Sequence, residues 1–247
     1  MQRSVIAALA DLPDDALRRP FAAHPLQFHL YAALRREQRA VVSATADRDR
    51  EPPLILRFAR SAFEELVALL AGRELLDSVR DGEWTLRDLL RHAIAVELRY
   101  CDQVLWSAQR RDDEPLAIPA ERLSCDRLTP PSPEFADAEH GDTSRVIELL
   151  GRARARTDVC VGDLPRSSLN RPSLWGTMEV DVRERLHQIA VHLVEVIVQA
   201  EKMLGEREPE PRRIVRRITA AREMHERLSP AIELRRLDDE LEKLVRG

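Results

Sequence analysis

Two stretches decide the fold: residues 84–92, WTLRDLLRH, and residues 192–201, HLVEVIVQAE. An apolar residue stands three positions before and four positions after the histidine of each stretch. This is the spacing of one face of an α-helix. We therefore expect His92 and His192 to lie on the apolar shoulders of two different helices, where their imidazoles could meet.

The segment 180–204 is the strongest predicted helix. Its apolar residues alternate by four and three positions, which keeps them on one stripe of the helix surface. These residues are Val182, Leu186, Ile189, Leu193, Val196, Ala200 and Met203. Gly205 follows, as a helix-ending glycine commonly does.

Three further amphipathic runs complete a predicted four-helix core. They cover residues 54–71, 86–106 and 143–157. The second run has the clearest start, because Thr85 can cap the helix and Asp88, three residues later, can complete a capping box. Trp84 would then pack against the first turn. No alternating strand pattern is present, so the predicted fold class is all-α.

Two long connections, 107–142 and 158–179, suggest a bundle in which the chain crosses over between helices. They either line the mouth of a site or serve as plain connectors. Trp106 and Trp175 flank them. Single aromatic residues near helix ends most often pack, although these two could also line a pocket.

Additional helices are expected outside the bundle. One lies between residues 24 and 42, and two follow the bundle, at about 212–228 and from residue 229 onward. The last carries leucines at heptad spacing, over too short a length for a free coiled coil: Leu234, Leu237, Leu241 and Leu244. The predicted division is an N-terminal helical extension at 1–50, a bundle at 51–206, and a C-terminal helical extension at 207–247 that packs on the bundle.

Composition excludes several classes of protein. The 39 basic and 43 acidic residues nearly cancel, so no basic face for nucleic acid is indicated. The three cysteines, Cys101, Cys125 and Cys160, show no Cys-x-x-Cys spacing, so neither a disulfide framework nor a thiolate zinc site is expected. No export signal and no run of roughly 18 apolar residues is seen. The sequence predicts a soluble, cytoplasmic protein without a membrane partner.

The two opening stretches resemble the metal-site halves of the DinB-like four-helix bundle proteins. Residues 82–92 resemble the start of the second helix of that fold, and residues 192–201 resemble its fourth helix. The resemblance covers roughly 54–204. It implies a DinB-like bundle with the long crossovers described above, in a family whose members are often dimeric. They include transferases and isomerases that use mycothiol, bacillithiol or glutathione, as well as bundles of unknown role.

The resemblance also implies a divalent metal site, of the zinc or nickel type. His92 and His192 match two of the family's ligands, but Val196 stands where the third histidine is expected. Substitutes are Glu195 or Gln199 on the same helix, or His29 from the N-terminal helix. Each has a plain structural alternative, and His92 and His192 themselves could be hydrogen-bonded histidines at the margin of the core.

Two functions follow from these expectations. In the first, the bundle has a degenerate metal site that binds metal weakly or not at all, and it is non-catalytic or binds a small molecule. In the second, it is a metal-dependent S-transferase or isomerase that uses a thiol cofactor. The residues favour the first, and they leave open whether the chain forms a homodimer and which ligand it takes.

Overall fold

A computed structural model describes residues 2–45, 50–74, 77–123, 133–205, 207–228 and 231–246. The chain divides into two compact units: Asp49–Leu204 is one, and Met1–Arg48 together with Gly205–Gly247 is the other. Cys125, Pro130 and Pro131 of the first long connection, and Ser229-Pro230 lie outside the described residues.

The chain is predominantly helical, which confirms the predicted fold class. Its α-helices and its strands, which pair as three short antiparallel hairpins, are α1 (Gln2–Ala10), β1 (Pro20–Phe21), β2 (His24–Pro25), α2 (Leu26–Ala44), α3 (Glu51–Leu70), β3 (Arg80–Asp81), β4 (Trp84–Thr85), α4 (Leu86–Gln109), α5 (Thr143–Val161), β5 (Pro172–Trp175), β6 (Met178–Asp181), α6 (Val182–Met203), α7 (Glu210–Glu226) and α8 (Ala231–Arg246). Within the described residues, no helix is both long enough and apolar enough to cross a membrane.

Helices α3 to α6 form the four-helix bundle of the unit Asp49–Leu204. Both α3 and α4 pack against α5 and against α6. Helices that follow one another, α3 and α4 or α5 and α6, therefore occupy opposite corners. The connections that cross the bundle are therefore those from α3 to α4 and from α5 to α6. The long connection from α4 to α5, in which a crossover was also predicted, joins two helices that pack against each other.

The stripe of α6 forms the centre of this core. All seven apolar residues predicted for it are buried, and Leu193 has no exposed surface. The helix begins at Val182 because the side chain of Asp181 caps it, accepting a hydrogen bond from the backbone N–H of Glu184 at 2.7 Å. The two residues that the pattern had added at its start belong to β6.

The capping box predicted at the start of α4 is present. The hydroxyl of Thr85 accepts a hydrogen bond from the backbone N–H of Asp88 at 3.1 Å, and the carboxylate of Asp88 accepts one from the backbone N–H of Thr85 at 2.9 Å. Two N–H groups that the first turn leaves without a helical partner are thereby satisfied.

The sequence pattern did not predict the three hairpins, which directly precede α2, α4 and α6. Each turns through two residues, and the first of these has a left-handed backbone, with φ of 52° at Ala22, 62° at Gly82 and 59° at Gly176. Strands of two to four residues are too short to show an alternating pattern, so the two glycines were the only local signal.

The second unit contains α1, α2, α7 and α8. Helices α1 and α2 each pack against α7 and α8, so segments from the two ends of the chain share one core. Leu241 and Leu244 are buried there, whereas the side chain of Leu234 lies outside the described residues. Arg222 pairs at its centre with Glu37 and Asp238. Packing of the C-terminal helices on the bundle stays a prediction.

Candidate functional site

The structure brings His92 of α4 and His192 of α6 together inside the bundle. Their Nε2 atoms lie 3.2 Å apart, and the ring centroids are 5.2 Å apart with the planes inclined by 64°. At this distance two neutral imidazoles form a hydrogen bond in which one Nε2 donates and the other accepts. Both rings are half-buried, so the pair lies at the margin of the core.

Aromatic side chains surround the histidine pair. Trp84, at the end of the β3–β4 hairpin, meets the ring of His92 edge-on with centroids 5.4 Å apart. Tyr100, two turns after His92 on α4, lies 5.8 Å from the ring of His192. A side-chain hydrogen bond also joins Tyr100 to Trp175 of β5. The site is therefore built by two helices and by the two hairpins that precede them.

A buried arginine completes the wall formed by α6. Arg185, two turns before His192, places its guanidinium carbon 4.1 Å from the centre of the Tyr100 ring. One of its Nη groups donates a hydrogen bond to the side-chain oxygen of Gln188. Arg185 is 3% exposed, so its positive charge lies inside the protein next to the histidine pair.

The electrostatic environment keeps His192 neutral. Burial, together with the neighbouring His92 and Arg185, which would repel a second positive charge, lowers the pKa of His192 to about 3. Burial also raises the pKa of the Tyr100 hydroxyl above its usual value, although Arg185 opposes this. The site thus combines an imidazole whose pKa is lowered, a phenol whose pKa is raised and the buried guanidinium of Arg185, and Glu195 acts electrostatically on the phenol.

The β3–β4 hairpin is held on α6 by polar contacts. Asp81 accepts hydrogen bonds from the side-chain amide of Gln199 at 2.5 Å and from the ammonium of Lys202 at 3.1 Å. Asp81 is the hairpin partner of Trp84, so this anchor also positions the indole against His92. Gln199, one of the substitute ligands considered above, thus has its amide engaged with Asp81.

The other residues considered as metal ligands lie in different surroundings. Val196 is 2% exposed and forms part of the apolar core one turn after His192. Glu195 is half-buried and interacts electrostatically with Tyr100. His29 belongs to the other unit, where its Nε2 contacts the carbonyl oxygen of Phe21 at 2.8 Å. Among the described residues, no group of three or more His, Cys, Asp or Glu side chains could hold a metal ion.

Sequence reasoning missed Arg185 and the site role of Tyr100. The sequence pattern did not single out Tyr100, and it gave Trp84 a role in packing only. Arg185 could have been found, because it stands seven residues before His192 and hence on the same face of α6. A charge on a buried face is a signal in its own right. Trp106 packs, with its indole N–H donating to the carbonyl of Pro115 at 3.0 Å.

Comparison with known proteins gives one match. The family model described as the DinB superfamily matches residues 55–195, which is more than half of the chain and contains both histidines. No curated protein and no solved structure matches the chain.

Proposed function

The chain therefore belongs to the DinB superfamily, and we propose that its bundle binds a small molecule at a degenerate metal site instead of using a metal for catalysis. The observation that carries this proposal is the pairing of His92 with His192 beside Val196. By their resemblance to the family's motifs, the two histidines match two metal ligands and Val196 stands where a third is expected. Their Nε2 atoms lie 3.2 Å apart, and Val196 is buried.

The donor set does not fit a catalytic metal ion. Catalytic zinc sites normally use three protein ligands and leave one position open for water or substrate. Here two nitrogens are available, and Val196 cannot coordinate. The guanidinium of Arg185, close enough to lower the pKa of His192, would also repel a divalent cation held there.

The surroundings suit an organic ligand better. Polar groups that can donate or accept hydrogen bonds come from the two histidines, Tyr100 and Arg185, and apolar ring surface comes from Trp84. Small-molecule sites typically combine aromatic walls with a few polar groups that fix the ligand's orientation. Trp84 is 38% exposed, so a ligand could reach it from solvent.

One observation favours a second candidate function, a divalent-metal-dependent S-transferase or isomerase that uses mycothiol, bacillithiol or glutathione. Two nitrogens bound to one tetrahedral zinc at about 2.0–2.1 Å lie roughly 3.3 Å apart. The Nε2 atoms of His92 and His192, at 3.2 Å, have nearly this separation. Such an enzyme would need a further ligand from outside the pair.

Metal content separates the two candidates. We expect purified protein, prepared without chelators, to contain far less than one zinc or nickel per chain by elemental analysis. Zinc added in a competition titration with a chromogenic chelator should bind no more tightly to the wild type than to His92→Ala. Stoichiometric metal that is lost in His92→Ala would refute the degenerate-site proposal and favour the thiol-dependent enzyme.

A further inference from the structure

Arg185 differs from other deeply buried arginines of this protein in its partners. Arg154 and Arg222 are equally buried, at 3% exposure, and each pairs with two carboxylates. Arg154 contacts Glu97 and Asp158, and Arg222 contacts Glu37 and Asp238. These pairs show how the chain ordinarily compensates a buried guanidinium.

Arg185 has no such compensation among the residues that the structure describes. Its partners are the amide oxygen of Gln188 and the side chain of Tyr100, both uncharged. A buried cation without a counter-ion is unfavourable, because no opposite charge offsets the hydration that it loses on burial. Burial accordingly lowers the pKa of Arg185.

The unpaired charge lies in the candidate site. The guanidinium stacks on the ring of Tyr100, which in turn lies against His192, and His192 contacts His92. Within the histidine pair, one Nε2–H donates a hydrogen bond to the other ring. An acceptor atom of a ligand could replace that ring as the partner of this N–H. An acceptor in this place would meet the guanidinium, an imidazole and a phenol.

We propose that this site binds a carboxylate anion with an apolar body, and that Arg185 supplies the counter-charge. This inference rests on the proposed ligand-binding function of the same site. A planar guanidinium presents its N–H groups in a fork that matches the two oxygens of a carboxylate. The exposed indole of Trp84 and the ring of Tyr100 offer surface to the apolar part.

The first experiment compares two probes of the same shape on the full-length protein. Benzoate carries the carboxylate, whereas benzamide replaces it with a neutral amide on the same ring. Binding is followed by calorimetry and by tryptophan fluorescence, because Trp84 adjoins the site. We expect the protein to bind benzoate at least about tenfold more tightly than benzamide, since a charge-assisted hydrogen bond is roughly twice as strong as a neutral one.

Variants then assign that preference to one residue. In Arg185→Met the preference for benzoate over benzamide should disappear. Arg183→Met removes an equal charge from the same helix, but Arg183 is paired with Glu51, so this control should keep the preference. An unchanged preference in Arg185→Met would overturn the proposal.

A second measurement keeps the test decisive if Arg185→Met fails to fold. Benzoate should raise the thermal midpoint of the wild type in proportion to the logarithm of its concentration, and benzamide at the same concentrations should raise it much less. Equal effects of the two probes would overturn the anion inference while leaving ligand binding intact. Stoichiometric zinc in the wild type would refute the degenerate site and, with it, this inference. Elemental analysis of the same preparation distinguishes that outcome from a loss of the benzoate preference alone.

Discussion

The side-chain amide of Gln199 on α6 donates a hydrogen bond of 2.5 Å to Asp81, which lies 118 residues earlier in the β3–β4 hairpin. Lys202 contacts the same carboxylate oxygen. Because Asp81 pairs with Trp84 across the hairpin, this contact connects the end of α6 to the indole that lies against His92. The position of Trp84 in the candidate site thus depends on the contacts of Asp81, which is not itself part of the site.

Removing this anchor should destabilise the bundle. Asp81→Ala leaves Gln199 and Lys202 without their acceptor, and we expect the free energy of unfolding to fall by about 1 to 2 kcal/mol. Urea denaturation followed by circular dichroism measures it. Asp112→Ala is the matched control, because Asp112 also pairs with a basic side chain, that of Arg171, but its own side chain is 97% exposed. Its stability should change by less than about 0.5 kcal/mol. If the free energy of unfolding fell equally in the two variants, the contacts of Asp81 would not stabilise the bundle more than an exposed ion pair does.

Restoring the missing ligand should create a metal site. Val196→His places an imidazole one turn after His192, and two histidines at this spacing share a metal in helical zinc sites. We expect the variant to gain zinc or nickel affinity, measured by metal content after dialysis. This gain should vanish when His92→Ala is added to the same variant. Equal metal uptake with and without His92 would show that the three positions do not converge.

Acid should destabilise the protein through His192. Its folded pKa of about 3 lies below the unfolded value of roughly 6.5. As the pH falls from about 6.5 towards 3, His192 binds a proton in the unfolded state but not in the folded state, so the free energy of unfolding decreases. Above pH about 6.5, His192 is neutral in both states and does not affect the stability.

The slope of the free energy of unfolding against pH tests whether His192 causes this loss of stability. Between pH about 6.5 and 4.5, His192 should contribute up to about 1.4 kcal/mol per pH unit to the fall in the free energy of unfolding. Denaturant titrations at several pH values give the slope, and His192→Gln should reduce it by that amount. Parallel pH profiles of the wild type and His192→Gln would contradict a depressed pKa.

The centre of the bundle should be sensitive to lost volume. Leu193 has no exposed surface on the stripe of α6, so Leu193→Ala should lower the free energy of unfolding by roughly 2 to 5 kcal/mol. Val159→Ala is the control for a surface position, since Val159 is 78% exposed. A Leu193→Ala variant as stable as the control would show that Leu193 does not contribute to the core packing.

The turn of the first hairpin should tolerate glycine better than alanine. Ala22 has φ of 52°, a left-handed backbone that costs an L-residue about 1 to 2 kcal/mol. Ala22→Gly should therefore raise the free energy of unfolding by up to about 1 kcal/mol, after allowance for the greater freedom of unfolded glycine. Ala23→Gly, at the next position, increases the freedom of the unfolded chain equally but relieves no strain in the folded one. It should therefore lower the free energy of unfolding. Thermal unfolding of the two variants checks the opposite signs.

The bundle helices could be predicted because their signals are local. The stripe of α6 follows from the spacing of apolar residues, and the start of α4 from the reciprocal hydrogen bonds of Thr85 and Asp88. The sequence pattern does not predict α1, because its nine residues are too few to show a clear helical stripe. It does not predict the hairpins, because strands of two to four residues are too short to show an alternating pattern.

The candidate site could be predicted only in part. The shoulder positions of His92 and His192 follow from helical spacing, and the structure places their rings in contact. Whether they hold a metal stays a prediction. Spacing along one helix could not show that Arg185 stacks on Tyr100, because that contact joins two helices.

The sequence by itself thus determined which segments of the bundle are helical, where α4 and α6 begin to within two residues, and which face of each carries a histidine, because these features depend on neighbours within one or two turns. Only the tertiary structure decided that Asp81 would anchor on Gln199, that segments from both ends of the chain would share one core, and that Arg185 would lie beside the histidine pair with no carboxylate partner among the described residues. Such contacts depend on the packing of helices against one another, which joins residues a hundred or more positions apart.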